Sequence, residues 1–201
     1  YKVSGIKQAV PKKAIKKDQI KQIEELPLEV GSHKWHMRNY FLFSYYCRGI
    51  NFKDLAHLTW DNITDGRLAY TRLKTRRPIN LKLLPQALEI LQYYQEHPHH
   101  DRYIFPILSE VHQTPQQIED RLEKVRKSLN NCMSGMGQEI GLNLRLTSYT
   151  PRHTYATVVK RSKVAVSIIS EAMGHSSESV TQAYLDSFEN DELDDAHEGI
   201  L

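Results

Sequence analysis

The apolar positions recur at helical spacing over most of the chain and shift to a shorter period only between residues 61 and 82. From 18 to 47 the pattern predicts helix. Ile20, Ile23 and Leu26 form one stripe, and Trp35, Tyr40, Leu42, Phe43 and Tyr46 then crowd together densely enough for burial on most sides. Arg48-Gly49 marks a turn, and Asn51 stands where it would cap a short helix over FKDLAHL, with Leu55 and Leu58 facing inward. The stretch DNITDGRLAYTRLKTRRPINLKL predicts short strands, with Asp65-Gly66 as a tight hairpin and Thr75-Arg76 turning the second strand into the third. A helix follows from Pro85 to about Glu96, with Leu88, Leu91 and Tyr94 on one face. Thr114-Pro115 with Gln117 has the form of a capping box. It opens a long amphipathic helix along Ile118, Leu122, Val125, Leu129 and Met133, up to the glycines at 135, 137 and 141. Near the end, Pro151 after Thr150 starts one helix, the turn Gly174-His175-Ser176-Ser177 ends another, and Glu178 with Ser179 opens a third that carries Tyr184. The expected fold is mainly α with a small three-stranded antiparallel β-sheet, an α+β arrangement.

At 201 residues the chain can bury one good core. It opens on Tyr1 rather than Met, which suits an excised fragment or a mature piece. Its apolar runs are far shorter than a membrane span and no signal-peptide pattern opens it, so a cytoplasmic setting is expected. Cys47 and Cys132 sit in apolar helical segments, which suits a reducing compartment better than a disulfide framework. His97, His99 and His100 crowd one loop, but their spacing makes a poor tetrahedral metal site.

The net charge of +3 hides a strong asymmetry. Seven acids and no Lys or Arg follow Leu185, so the rest of the chain sets 27 Lys and Arg against 17 acids, a net +10. Residues 1–18 alone hold six lysines against one acid, as a basic tether would, and 189–201 form an acidic tail. A basic body with an acidic tail suits a polyanionic partner.

The candidate chemistry lies between 149 and 184. Arg152 begins a helix, His175 sits in the Gly-His-Ser turn, and Tyr184 rides the last helix. A guanidinium fork matches a phosphate, and an imidazole adds a donor adjustable near neutral pH. A phenol beside such an anion site becomes a plausible nucleophile toward phosphorus, because the same donors favour loss of its proton.

The spacing of these residues, with His175 twenty-three after Arg152 and Tyr184 nine after His175, resembles the catalytic box of the tyrosine recombinase (phage integrase) family, as do the RHT and GH phrases. The resemblance runs from about residue 15 to 188. It implies a catalytic domain over 19–188, preceded by an interdomain linker over 1–18 and, in the whole protein, by a core-binding domain that this chain lacks. KTRRPINL resembles the family's strand-turn-strand phrase, which makes Lys74 the acid that protonates the leaving 5′ oxygen. Its neighbours Arg72, Arg76 and Arg77 are then expected to lie against DNA.

Two positions depart from the family pattern. Aligning KDLAHL with the first arginine box puts Asn51 where the arginine belongs, so that Arg48, three residues earlier, is the favoured first arginine and Arg38 its weaker substitute. Tyr149 replaces the histidine three residues before Arg152; it can donate a hydrogen bond but supplies no imidazole. His153 is expected to buttress the site.

The resemblance implies a site-specific DNA recombinase of the mobile-element, conjugative-transposon type. It would act on double-stranded DNA as a tetramer, without metal, nucleotide or small-molecule substrate, in a bacterial cytoplasm at the nucleoid. A type IB topoisomerase-like relaxing enzyme and a non-catalytic helical DNA-binding module are the alternatives.

Overall fold

Fourteen residues, His33–Tyr46, form the helix about which the others pack, labelled α2, and nine of them are buried. A helix buried nearly all round is a core element rather than a surface one. Ser32 caps it by accepting from the Trp35 N–H at 3.3 Å. The computed structural model describes residues 14–98, 102–174 and 177–186, and of Val180, Ala183, Tyr184 and Asp186 the backbone alone. The helical pattern expected from 18 to 47 is divided in two. A first helix, α1 (Lys17–Glu24), ends before Pro27 and Gly31, where the backbone turns back. Packing starts before the expected end of the tether: Ile15 is buried, and its N–H donates to Thr154 Oγ1 at 3.2 Å.

After α2 come the short helix α3 (Phe52–Ala56), a 3₁₀ turn (Trp60–Asn62) and three strands, β1 (Ile63–Thr64), β2 (Arg67–Thr71) and β3 (Pro78–Lys82). The sheet is antiparallel in the order β1-β2-β3. Asp65 and Gly66 both take positive φ, 50° and 69°, as a two-residue hairpin that follows strand twist requires. The β2–β3 connection is wider than the expected Thr75-Arg76 turn. The Arg72 N–H donates to the Arg77 carbonyl and that of Arg76 to the Arg72 carbonyl, both at 2.9 Å, with Arg76 left-handed at φ 56°.

Helix α4 (Pro85–Glu96) buries Ala87, Ile90, Leu91 and Tyr94, while Leu88, expected on the inner face, lies one stripe over and is exposed. Helix α5 (Pro115–Glu139) has the expected capping box, with Thr114 and Gln117 exchanging bonds of 3.2 and 3.0 Å. It runs through Gly135 and Gly137 and stops before Gly141. Burying Met133 and Met136 offsets the cost of about 1 kcal/mol per helical glycine. Helices α6 (Thr150–Arg161), α7 (Val166–Met173) and α8 (Glu178–Asp186) close the structure. The large core draws on α1 to α5 and the sheet. A second, small cluster of Ala156, Ile169, Met173 and Leu185 joins α6, α7 and α8. No described helix is long and apolar enough to cross a membrane.

Candidate active site

The site is built at the end of α2. Its last turn closes with the Gly49 N–H donating to the Ser44 carbonyl at 2.8 Å, a six-to-one bond that puts Arg48 at the left-handed position usually given to glycine. Arg48 has φ 57° and Gly49 φ 70°. A left-handed arginine costs roughly 1 to 2 kcal/mol. Gly49 has no alternative, because a Cβ there would stand 2.6 Å from the Arg152 Cα. The turn is therefore packed directly on the first turn of α6.

Arg152 is buried, and its guanidinium bridges two segments. Nη1 donates to the Gly49 carbonyl at 2.9 Å, and Nη2 to the Met173 carbonyl at 2.8 Å. One side chain thus ties the Arg48 turn to the end of α7, next to Gly174. Burial raises the pKa of Tyr155 and the positive charge of Arg48 opposes it, so Arg48 acts on the α6 residue three positions beyond Arg152. Asn51 precedes α3 without a side-chain capping bond. It helps line a cavity of about 380 Å³ with Lys53, Glu119, Arg126 and Tyr149.

Tyr149 is half exposed, and its ring meets that of His153 edge-on, with centroids 4.6 Å apart. His153 itself is buried. Lys74, Arg76 and Arg77 are exposed on the β2–β3 connection, where a polyanion could reach them. The connection reaches the end of α7 through Thr75, whose Oγ1 donates to the Gly174 carbonyl at 3.3 Å.

Two assignments are corrected. Arg72 was expected against DNA, but it is buried. Its Nη1 donates to the Met173 and Gly174 carbonyls at 3.1 and 2.6 Å, and its Nε lies 3.6 Å from Asp54 Oδ2. As the last residue before the turn, it points inward by the alternation of β2, in which Leu68 and Tyr70 also face the core. Arg38, the substitute first arginine, is engaged elsewhere: its Nη1 donates to the Glu24 and Leu26 carbonyls at 2.9 and 2.6 Å, holding the end of α1. Burial lowers its pKa, opposed by Glu24.

Asp54 was missed. It is buried in α3, and its Oδ1 accepts from the Leu73 N–H at 2.9 Å. The sequence held a signal, since an acid beside Leu55 and four residues before Leu58 falls on the inward stripe. His175 lies outside the described residues. Tyr184 is placed by its backbone in α8, which docks on α6 and α7 through Leu185 and through Lys160 Nζ donating to the Leu185 carbonyl at 3.3 Å.

The profile of the "Phage integrase family" matches residues 13–191. No curated protein matches significantly. Among solved structures, the chain is similar to XerH site-specific recombinase bound to a palindromic difH substrate in a post-cleavage complex. There the TM-score is 0.67 at 14% identity, over 97% of this chain and 56% of that one. XerA recombinase gives TM-score 0.62 at 18% identity, covering 85% and 59% of the two chains. The Tn1549 transposon integrase in complex with transposon right end DNA gives 0.62 at 11%, covering 92% and 66%. This chain thus spans about three fifths of the length of these proteins, and at such identities the likeness is one of fold.

Proposed function

The chain belongs to the phage integrase family, and from that premise we propose that it is the catalytic domain of a site-specific DNA recombinase that cuts and rejoins strands through a 3′-phosphotyrosyl intermediate. The observation that carries this reading is the bridge made by Arg152. It gathers the Arg48 turn and the end of α7 at one point.

In this reading the Tyr184 phenol attacks a backbone phosphorus. The O–P bond to tyrosine forms, the bond to the 5′ oxygen breaks, the phenolic proton leaves to water, and Lys74 supplies the proton that the 5′ oxygen takes up. A 5′ alkoxide is a poor leaving group without that proton, and a placed acid contributes about a hundred- to ten-thousandfold. Arg48, Arg152 and His175 hold the non-bridging oxygens as charge builds, each donor worth about a hundred- to thousandfold by analogy with oxyanion holes. The left-handed backbone of Arg48 supports its role as first arginine, because strain of this kind persists where the surroundings over-determine it and concentrates at functional sites. His153 and Tyr149 buttress the start of α6, and Arg76 and Arg77 reach DNA backbone phosphates from the β2–β3 connection. The covalent link conserves the phosphodiester energy, so the 5′-hydroxyl of a second strand can displace the tyrosine. Four copies assembled on two duplexes would then exchange strands through a four-way junction.

The test is incubation with a pool of nicked suicide duplexes of randomised sequence, followed by recovery of covalent protein–DNA adducts. Adducts are expected from the native chain and none from Tyr184→Phe; adducts that persist in that variant overturn the assignment. Duplexes recovered from the pool then distinguish strand exchange, which yields four-way junctions, from rejoining of the same strand, as in a relaxing enzyme.

A further inference from the structure

Two buried arginines meet at the C-terminal end of α7. Arg152 donates to the Met173 carbonyl at 2.8 Å, and Arg72 donates to the Met173 and Gly174 carbonyls at 3.1 and 2.6 Å. The last carbonyls of a helix lack intrahelical partners and carry the negative end of its dipole, so guanidinium groups suit them. Arg72 also reaches away from α7. Its Nε stands 3.6 Å from Asp54 Oδ2, a Coulombic contact beyond hydrogen-bond range, and Asp54 Oδ1 accepts from the Leu73 N–H at 2.9 Å. Leu73 immediately precedes Lys74, and Gly174 immediately precedes His175. The backbone is shaped around this arginine: Gly174 is left-handed at φ 61°, and a Cβ there would stand 2.6 Å from Arg72 Cδ.

We propose that the Arg72–Asp54 pair is a positioning device that fixes the Lys74 turn against the C-terminal end of α7, so that the proton donor keeps one place; this rests on the recombinase reading above. Neither residue touches DNA in this role. Stability alone is a weak reason for such a pair, because the desolvation of two buried ions commonly cancels their attraction. Geometry is the stronger reason. The guanidinium presents donors in a fixed plane, and the carboxylate holds a backbone amide on one oxygen while facing that plane with the other. Thr75, on the same turn, adds its own bond to the Gly174 carbonyl at 3.3 Å.

The experiment compares two leaving groups. Duplexes recovered as above are prepared with the ordinary 5′ oxygen at the cleaved phosphate, and again with a bridging sulfur, which departs as a thiolate and needs no proton. Arg72→Gln and Asp54→Asn are expected to slow adduct formation about a hundredfold on the oxygen substrate, and to stay within about threefold of the native chain on the sulfur one. Equal losses on both substrates overturn the positioning role and leave the recombinase reading intact. A native chain that forms no adduct on either substrate overturns both. Should Arg72→Gln fail to fold, Arg72→Lys keeps the buried charge while losing the planar fork, and the same split between substrates is expected of it.

Discussion

The two hydrophobic clusters of this molecule hold their elements in different ways. The large one interlocks α1 to α5 and the sheet through buried aromatic rings: Tyr40, Phe43 and Tyr94 each meet Phe105 edge-on, with centroids 4.9 to 5.4 Å apart. The small one, among the described residues, is Ala156, Ile169, Met173 and Leu185, with Tyr155, Val159, Val164 and Val166 against it. Around it, directional polar bonds add to the apolar contact: Arg72 and Arg152 on the end of α7, and Lys160 on α8. The difference teaches where local opening is cheap. The helix that carries Tyr184 is expected to open before the large cluster does.

The largest expected effect breaks the large cluster. Phe43→Ala removes a fully buried ring packed on Phe105 and is expected to cost about 3 to 5 kcal/mol in urea denaturation. A loss under about 1 kcal/mol would mean that this core relaxes around the cavity and does not organise the fold. Next, Leu185→Ala is expected to loosen α8 by about 2 kcal/mol. The readout is faster amide exchange confined to α7 and α8, with the midpoint of global unfolding unchanged. A midpoint that falls as it does for Phe43→Ala would show the two clusters unfolding as one.

The smallest effect sharpens the same contrast through pH. Burial raises the pKa of Tyr40, Tyr46, Tyr70 and Tyr94 strongly, all in or against the large core, whereas in the small cluster Tyr155 is raised less. A tyrosine whose folded pKa lies above its unfolded value keeps its proton folded and loses it unfolded. Stability is therefore full below about pH 10 and falls as pH rises past it. Tyr94→Phe is expected to flatten that alkaline loss, by up to about 1.4 kcal/mol per pH unit, over a wider span of pH than Tyr155→Phe does. Equal flattening by the two variants would remove the distinction.

Legibility in the sequence followed the same division between local and long-range causes. Helix starts at Thr114 and Pro151, the Asp65-Gly66 hairpin and the three-strand order rest on bonds between near neighbours, so residue type and spacing reveal them. The Arg152, His175 and Tyr184 spacing pointed to the family for the same reason, as a fixed phrase. The break between α1 and α2 was masked by continuous apolar residues, although Pro27 and Gly31 marked it. Arg72 and Arg38 misled because an arginine in sequence looks like a surface charge. What buries each is carbonyl oxygens, supplied to Arg38 from twelve and fourteen residues away and to Arg72 from over a hundred.

By itself, then, the sequence determined the element types, the basic body and the family phrase, because propensity, charge and short-range capping act within a few residues. Only the tertiary structure decided that Arg72 faces inward to Asp54 and α7, that Arg38 clamps α1, and that Gly49 rests on Arg152. Each of these depends on which distant carbonyl or backbone atom arrives beside the side chain, and packing alone sets that.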